Sequence, residues 1–442
     1  MIQLSDHFTH RRLLRFTLPS IIMMVFTSIY GVVDGFFVSN FAGETAFAAV
    51  NFIMPVVMIV GCTGFMFGTG GAALVSKTLG EGNRKKAGEM FTLIVVAAVV
   101  LGAALGLTGF FVVRPLGRLL GAEGEMLDLC VQYARIIMLT QPFYVLQYIF
   151  QCFCSVAEKP KLGLVVTVGA GVTNMVLDGL FVGILPWGVP GAAAATAISQ
   201  VVGGGLPLLY FLSRKNTTSL RFGRFRMDWR VLWKTCSNGI SEFLSNISSS
   251  LVGMLYNVQL MKYAEKLGVS AYGVLMYVNF AFLAVFIGYS VGAAPIIGYH
   301  YGAKNSDELK GLLRKSLQMI AVGAIAMFAA ANLLAKPLAN LFVGYNQTLY
   351  EMTVHAFRYF SFSFLFAGFA IFGSSFFTAL NDGMTSALIS FLRTLVFQVA
   401  AVLILPLILE LDGIWLSIVG AEIMAVLATA GFLILKRKKY HY

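Results

Sequence analysis

Residues 162–213 read LGLVVTVGAGVTNMVLDGLFVGILPWGVPGAAAATAISQVVGGGLPLLYFLS, and this run decides the fold class. Its only charged side chain is that of Asp178. A helix that crosses a membrane needs about 20 consecutive apolar residues, so the run predicts two spans, 163–185 and 191–213. A charge at the centre of a bilayer costs about 2.5–3.5 kcal/mol on insertion scales. Asp178 therefore needs a cavity, a partner or a bound ion.

The same apolar character extends along the whole chain. Hydrophobic residues make up 58% and charged residues 12% of the sequence, with a mean hydropathy of +0.81, whereas soluble domains carry about 25% charged residues. Apolar runs of spanning length recur, and we predict an all-α integral membrane protein with twelve transmembrane helices. The predicted spans 1 to 12 are 14–38, 50–75, 91–113, 128–153, 163–185, 191–213, 235–261, 272–298, 316–335, 352–378, 386–408 and 413–435.

Lysine and arginine are concentrated in alternate loops. If the N-terminus is cytoplasmic, 24 of the 32 basic residues lie in cytoplasmic segments, 5 in outer segments and 3 inside spans. This bias predicts a multi-pass protein of the cell inner (plasma) membrane with both termini cytoplasmic. It also accounts for the net charge of +12 without a nucleic-acid partner. The run 14–38 is too long for the apolar core of a signal peptide, so we expect the first span to be retained.

The chain contains an internal repeat of half its length. A shift by 222 residues, about half the chain, superposes Gly70-Gly71-Ala72 on Gly292-Ala293-Ala294, and a shift by 223 superposes Tyr133-Ala134-Arg135 on Ala356-Phe357-Arg358. We call the first of these the half-chain shift. Six spans per repeat is an even number, so both repeats enter the membrane from the same side and are parallel. We predict two pseudo-symmetric six-helix lobes around a central cleft. Their bounds are 1–213 for the N-lobe, 214–234 for a cytoplasmic linker and 235–442 for the C-lobe.

Two such bundles can rock against each other and open the cleft to alternate sides of the membrane. This architecture favours a carrier over a pore. A primary pump would need a nucleotide site, but no Lys directly follows a Gly in this chain, so a phosphate-binding loop of the GK[ST] type is absent from the sequence. We therefore expect coupling to an ion gradient.

Three motifs resemble those of the multidrug and toxic compound extrusion (MATE) family. They are Leu18-Pro19 through Val33-Asp34-Gly35 in span 1, Leu79-Gly80-Glu81-Gly82-Asn83-Arg84 after span 2 with its echo at 301–305, and Asn174-Met175-Val176-Leu177-Asp178 in span 5. The resemblance covers essentially the whole chain. It implies a cation-coupled antiporter that exports amphipathic, often cationic organic molecules and is driven by inward Na+ or H+.

The resemblance also implies roles for individual residues. Branches of the family with an ion site in the N-lobe use an Asp in span 1, an Asn and an Asp one turn apart in span 5, and a Thr in span 6. The matching residues here are Asp34, Asn174, Asp178 and Thr196. Pro19 resembles the proline about which the first helix of the family is thought to bend.

Helix geometry supports the same set without the family. Asn174 and Asp178 are four residues apart and share one helix face, and Tyr30 stands in the same relation to Asp34. With a rise of about 1.5 Å per residue, these groups and Thr196 all reach the outer half of the N-lobe. Carboxylate, amide and hydroxyl oxygens suit a small hard cation, and the same carboxylates can take up a proton instead. Both Na+ and H+ stay open as the coupling ion.

Three further charges lie at mid-depth in the predicted C-lobe. Arg393 in span 11 and Glu422 in span 12 are at similar depths, so we predict a structural charge pair. Glu242 in span 7 could join this pair or line the C-lobe cavity. Some branches of the MATE family place acids in spans 7 and 10, but span 10 of this sequence contains no carboxylate.

Two other functions fit the sequence less well. An intramembrane enzyme would need clustered His, Cys or paired acids, yet none of the five His lies near Asp178 in the sequence. A flippase for lipid-linked oligosaccharides or lipids would need a wide, strongly basic cavity. We therefore predict a secondary transporter, not an enzyme, without a cofactor apart from the coupling ion. Its expected partners are small amphipathic cations and the lipid bilayer, and it is expected to be a monomer.

Overall fold

The computed structural model describes residues 2–213, 216–218 and 220–442. Within these residues every regular element is a helix. The α-helices are α1 (His10–Phe37), α2 (Glu44–Gly80), α3 (Arg84–Leu119), α4 (Gly124–Leu139), α5 (Gln141–Val156), α6 (Pro160–Asp178), α7 (Gly188–Leu212), α8 (Trp229–Gly302), α9 (Ser306–Val343), α10 (Gln347–Phe360), α11 (Phe364–Ala379), α12 (Gly383–Phe391), α13 (Phe397–Ile404) and α14 (Pro406–Tyr440). Three π-helical turns, Val38–Ala42, Gly179–Ile184 and Leu392–Val396, and one 3-10 turn, Ser361–Ser363, join or extend them.

These elements make twelve passes through the membrane. α4 and α5 are bent by 59° and form one span, span 4. The turns Ser361–Ser363 and Leu392–Val396 join α10 to α11 and α12 to α13 into spans 10 and 11. The prediction of an all-α membrane protein with twelve spans is confirmed.

α8 is two spans rather than one. Its 74 residues are interrupted at Glu265, whose backbone is non-helical with φ 51° and ψ −146°. The rings of Tyr256 and Tyr272 stack at 5.2 Å between centroids, whereas a straight helix between them would separate the two by about 24 Å. The chain therefore folds back at Glu265, and the two arms are spans 7 and 8.

Helix α8 begins inside the segment 214–234 that is predicted as the linker. α8 begins at Trp229 because the Asp228 side chain accepts the backbone N–H of Arg230 and caps the helix. The last part of the predicted linker 214–234 is thus helical, and Arg214, Lys215 and Ser219 lie outside the described residues. The lobe bounds themselves stay a prediction.

Both chain ends lie at the same end of the bundle. Leu4 and Phe8 share a hydrophobic core with Tyr440 and Tyr442. We call this end the basic end, because the loops that contain most of the Lys and Arg lie there. The assignment of the basic end to the cytoplasm stays a prediction.

The two halves of the repeat are packed closely at the basic end through glycines. A Cβ on Gly80 would lie 1.9 Å from the carbonyl oxygen of Tyr299, and one on Gly302 would lie 2.0 Å from that of Lys77. The half-chain shift exchanges these two contacts, so they are equivalent across the pseudo-symmetry. We call this contact between spans 2 and 8 the glycine seam. Because backbone touches backbone there, the basic end of the central cleft is closed.

Candidate functional site

The N-lobe site begins with close packing of α1 against α6. A Cβ on Gly171 would lie 2.4 Å from the Phe26 ring and 3.2 Å from the Tyr30 ring. Only a glycine permits this approach. Gly171 lies on the face of α6 that also carries Asn174 and Asp178, since the three are spaced by three and four residues. Packing at Gly171 therefore brings the next turn of α6 against the next turn of α1.

That next turn of α1 carries Asp34. Asp34 and Asp178 are both buried, with 8% and 0% of their surface exposed, and their carboxyl groups are close enough to interact with each other and with the amide of Asn174. None of the Lys and Arg among the described residues forms an ion pair with either acid. The structure thus brings together two carboxylates predicted from the sequence, without a basic partner.

Several oxygen atoms of this group lack hydrogen-bond donors. They are Asp34 Oδ1, Asn174 Oδ1 and both carboxylate oxygens of Asp178, each of which is buried and without a partner among the residues described. Leaving such groups unsatisfied is costly. Oxygens in this state suit either a proton shared between the acids or a small cation bound by them. These oxygen ligands therefore fit the predicted coupling ion, Na+ or H+. The ion would bind here and leave again in each transport cycle, as a substrate does.

The helix backbone is irregular where both acids lie. α1 passes into a π-helical turn at Val38–Ala42, four residues after Asp34, and α6 passes into another at Gly179–Ile184 directly after Asp178. The third π-helical turn, Leu392–Val396, contains Arg393. π-helical turns are rare and are frequently found at functional sites. Each wide turn changes the register of the side chains that follow it.

Thr196 and a residue that the sequence analysis did not select complete the group. The amide Nδ2 of Asn174 donates to Thr196 Oγ1 over 3.4 Å. Tyr133 is fully buried, and its hydroxyl lies near Thr196 and both carboxyl groups but has no hydrogen-bond partner of good geometry in the part of the chain described. The signal in the sequence that could have identified Tyr133 as a site residue is its position in the interior of span 4, on an otherwise apolar helix face.

Tyr30 and Pro19 support the site from the same helix. Tyr30 is half-buried one turn below Asp34, where it packs on Gly171. Pro19 is buried, and α1 runs without interruption through it. The bend at Pro19 that the family resemblance implies stays a prediction. The missing backbone N–H of Pro19 still marks the point where α1 is weakest.

The C-lobe charges form a second centre. Arg393 Nε donates to both carboxylate oxygens of Glu422, at 3.0 and 2.9 Å, and Nη2 donates to Oε1 at 2.8 Å. This is a bidentate ion pair with the carboxylate 3% exposed. Glu242 is half-buried and within electrostatic range of Arg393. Its carboxylate forms no hydrogen bond with another described residue.

Glu242 and the ion pair line one cavity of about 450 Å³. Its wall is rich in hydroxyl and amide side chains and includes the aromatic rings of Tyr256, Tyr272 and Phe280. Thr69 and Cys152 of the first half also contribute, so the cavity lies at the boundary between the halves. It is large enough for a small organic molecule.

Comparison with known protein families matches residues 19–180 and 243–404 to the family described as MatE. The two matched segments cover most of the chain and are related by the repeat. The chain belongs to the MatE family. It is accordingly a multi-pass membrane transporter and not an enzyme.

Individual relatives extend along nearly the full length of this MatE chain. The "Multidrug export protein MepA" of Staphylococcus aureus (strain MRSA252) is 23% identical over 419 residues, which cover 95% of this chain and 92% of that protein. The MepA protein of Staphylococcus saprophyticus subsp. saprophyticus is 24% identical over 422 residues, with 94% and 91% covered.

Solved structures show the same fold. One described as the "Outward-facing conformation of a multidrug resistance MATE family transporter of the MOP superfamily" has a TM-score of 0.93 at 23% identity and covers 98% of this chain and 97% of that one. A "Crystal structure of MATE in complex with MaL6" has a TM-score of 0.92 at the same identity and coverage. The predicted pair of pseudo-symmetric lobes is therefore the fold of this MatE chain.

Proposed function

We propose that this MatE protein is a cation-coupled antiporter that exports amphipathic, mostly cationic organic compounds by alternating access. The observation that carries the proposal is the contact between Asp34 and Asp178, two buried acids on separate spans that lack a basic partner. Such a pair binds a proton or Na+ readily, and an organic cation can compete with that ion for the same negative charge. The names of the relatives, multidrug export proteins, support the substrate class.

The coupling follows from the energetics of the acid pair. Two negative charges in a buried space repel each other and are poorly solvated, so the state with both acids bare is unfavourable. Asn174 and Thr196 supply further oxygen ligands beside the acids. We propose that ion uptake stabilises a state in which α1 bends at Pro19, which displaces the exported molecule. Release of the ion on the other side of the membrane resets the site.

The cavity beside Glu242 supplies space for the exported molecule. Its hydroxyl groups and aromatic rings offer contacts to molecules of varied shape, and Glu242 adds a negative charge that is not neutralised by a hydrogen-bonded cation. We assign Glu242 a role in substrate binding and the Arg393–Glu422 pair a structural role. The basic end is closed in this conformation, so the cavity must be reached from the other end.

The flippase alternative is not favoured. A lipid-linked pyrophosphate would require several cations in the cavity, whereas Arg393 is the single Lys or Arg on the described cavity wall and already pairs with Glu422. The two acids, Glu242 and Glu422, outnumber it. The polarity of the cavity thus fits a cationic cargo.

Transport by reconstituted vesicles tests the proposal. A fluorescent organic cation is loaded into vesicles that contain the protein, and its release is followed under an imposed Na+ gradient, an imposed pH gradient, both or neither. We expect one of the two gradients to accelerate release, which also identifies the coupling ion. If neither gradient accelerates release above that of protein-free vesicles, antiport is wrong. A monomeric state and a cytoplasmic basic end stay predictions, the latter testable by protease access to the C-terminal tail.

A further inference from the structure

A second cavity lies outside the membrane core at the basic end. It has a volume of about 1320 Å³ and lies between the beginning of α3 and the linker that precedes α8. Neither the ion site nor the proposed transport path includes it. Its wall is formed by residues of the ranges 84–93, 217–218 and 221–231, by Gln3, Leu4 and Ser5 of the N-terminal segment, and by Leu79, Glu158 and Tyr299.

The linker is docked on the protein at this point. Phe222 stacks on Phe91 of α3 with ring centroids 4.9 Å apart, and the backbone N–H of Gly223 donates to Thr92 Oγ1 at 3.1 Å. Leu220 is fully buried in the core of the first half. Contacts of this kind fix the linker backbone, so the residues that follow it are held against the beginning of α3. The wall of the cavity is therefore fixed by the packing of the linker on α3.

Basic side chains dominate its wall. Three acids, Glu89, Glu158 and Asp228, also line the cavity, but Glu158 already accepts the backbone N–H of Leu4 and Asp228 caps α8. No ion pair or side-chain hydrogen bond is formed by any of the six cations to another described residue. The six are Arg84, Lys85, Lys86, Arg221, Arg224 and Arg226.

Large apolar side chains are exposed beside the cavity, as expected for a site at a membrane surface. Trp229 and Trp233 are 73% and 76% exposed, and Phe225 and Met227 are exposed as well. Tryptophan is enriched at the level of the lipid headgroups, where its ring is partly apolar and its N–H reaches water. In the linker, the exposed side chains of Phe225 and Met227 alternate with Arg224 and Arg226. This pattern favours a lipid headgroup over a soluble anion.

The equivalent position of the second half has the opposite charge. The half-chain shift carries Arg84, Lys85 and Lys86 to Ser306, Asp307 and Glu308. Glu308 accepts the backbone N–H of Phe8, so an acid at this position holds the N-terminal segment. Both positions are at the same end of the bundle. The general excess of cations on one side of a membrane protein therefore does not explain the basic cavity.

We propose that this basic cavity binds the phosphate headgroup of an anionic phospholipid. Arginine presents paired N–H donors to phosphate oxygens, and basic pockets at the end of a membrane bundle bind the headgroups of acidic lipids. Bound there, one headgroup contacts both α3 of the first half and the segment that leads into α8. The lipid would tie the linker to the first half and stabilise the folded protein.

Thermal unfolding of the purified protein in a neutral detergent tests the proposal. Mixed micelles with phosphatidylglycerol are compared with micelles that contain phosphatidylcholine, and native mass spectrometry records the lipid that remains bound. We expect phosphatidylglycerol to raise the unfolding midpoint by several degrees over phosphatidylcholine, because a ligand that binds only the folded state stabilises it. The triple variant Arg221→Gln, Arg224→Gln, Arg226→Gln should lose at least half of this shift and retain less phosphatidylglycerol.

The control variant Lys304→Gln, Lys310→Gln, Arg314→Gln removes the same charge from exposed positions at the basic end but outside the cavity. It should keep the full shift. If both triple variants lose the shift equally, or neither does, the proposed site is wrong. If millimolar inorganic phosphate produces the same shift as phosphatidylglycerol, the lipid assignment is wrong. Should the linker variant fail to fold, Lys85→Gln with Lys86→Gln repeats the test from the α3 side.

Discussion

Equivalent positions in the two halves of the molecule carry different chemistry. The half-chain shift carries Asp34 to Tyr256, and the offset between the two segments of the family match carries Asn174 to Gln398. In the second half these residues are neutral and satisfied, since Tyr256 Oη donates to Gln398 Oε1 at 2.9 Å. In the first half the corresponding oxygens are buried without partners among the described residues.

The two halves also differ in whether their buried carboxylates have a basic partner. The second half neutralises Glu422 with Arg393 inside the fold, whereas the first half leaves Asp34 and Asp178 without a basic residue. A neutralised pair needs nothing from solution, but an unbalanced pair of acids must take up a cation or a proton to be stable. Under the proposed mechanism, the first half exchanges the ion and the second half provides a stable wall of the cargo cavity.

The largest effect is expected from Asp178→Asn. The substitution removes one charge of the unbalanced pair but keeps the size of the side chain, so release of a fluorescent cation from vesicles should fall to the passive leak under either gradient. The unfolding midpoint should stay the same or rise, because a buried charge without a basic partner is lost. Asp34→Asn should behave in the same way.

The matched control is Glu125→Gln, which removes a carboxylate from an exposed position at the beginning of α4. Gradient-driven release should be unchanged in this variant. Full gradient-driven release by Asp178→Asn and by Asp34→Asn would remove the acid pair from the mechanism and leave the comparison of the halves without functional meaning.

Glu422→Gln should mainly lower the stability of the protein, in contrast to the two Asp variants, which should mainly abolish transport. Removing the carboxylate leaves Arg393 buried and unpaired, which typically costs about 3–5 kcal/mol of folding free energy. We expect a large drop in the unfolding midpoint of the purified protein. The double variant Arg393→Met, Glu422→Met removes both charges and should recover much of the lost stability. If Glu422→Gln abolishes transport at unchanged stability, the pair belongs to the transport mechanism and the two halves are less different than proposed.

Gly80→Ala tests the glycine seam, where the two halves meet. The added Cβ would collide with the carbonyl oxygen of Tyr299, and overpacking of this kind costs about 1–3 kcal/mol. The cost falls on the conformation that is closed at the basic end. We expect faster labelling of Cys236, the one cysteine in the described chain that is not fully buried, by a thiol reagent supplied from that end. Gly302→Ala should act alike because the two contacts are equivalent.

The control for the seam is Gly169→Ala, since a Cβ on Gly169 would meet nothing within 4 Å. Its labelling rate should match that of the unsubstituted protein. Equal rates in all three variants would show that the glycine contacts do not determine closure.

The sequence predicted the membrane fold because hydrocarbon imposes long apolar runs that can be counted. The polar residues of the N-lobe site were also accessible, since Asp34 and Asp178 stand out in apolar sequence and Asn174 follows from helix spacing. Tyr133 was not identified, because its place in the site depends on the path of span 4, which bends by 59° between α4 and α5. A bend of this kind leaves no periodic signal.

The π-helical turns and the docking of the linker were not predicted. A π-helical turn contains one additional residue in a helix that otherwise looks regular, so apolar periodicity hardly changes. The sequence predicts only that 214–234 is a cytoplasmic linker, whereas in the structure Phe222 and Leu220 anchor this segment on the first half. Such docking depends on residues distant in the sequence, and a count of charges and apolar runs cannot detect it.

Thr196→Ala should have a moderate effect within the first half. Thr196 accepts one long hydrogen bond from Asn174, and loss of a neutral hydrogen bond costs about 1 kcal/mol. The ion concentration that gives half-maximal release should rise roughly fivefold, with an unchanged maximal rate. Thr196→Ser keeps the hydroxyl and should restore the original value. A variant with unchanged ion dependence would show that Thr196 bonds only its neighbour and not the ion.

The smallest effect concerns the loop between spans 10 and 11, where Asp382 holds the C-terminal helix. Tyr440 Oη donates to Asp382 at 2.7 Å and Lys436 Nζ lies at 3.6 Å. Burial alone would raise the pKa of Asp382, but the hydrogen bonds from Tyr440 and Thr385 and the charge of Lys436 outweigh burial and lower the pKa below its usual value. Asp382→Asn should therefore cost about 0.5–1 kcal/mol of stability at neutral pH.

A lowered folded-state pKa fixes the sign of the pH dependence. The stabilisation by Asp382 is fully present above the unfolded-state pKa of about 3.9 and is lost as pH falls through the lower folded-state pKa. The difference in unfolding midpoint between the unsubstituted protein and Asp382→Asn should be constant from pH 7 to 5 and shrink below about pH 4. The equivalent loop of the first half uses Glu158 to hold the N-terminal segment. If the difference persists unchanged at acidic pH, Asp382 acts through its shape and not through its charge. The C-terminal helix would then be held by hydrogen bonds without a contribution from the carboxylate charge.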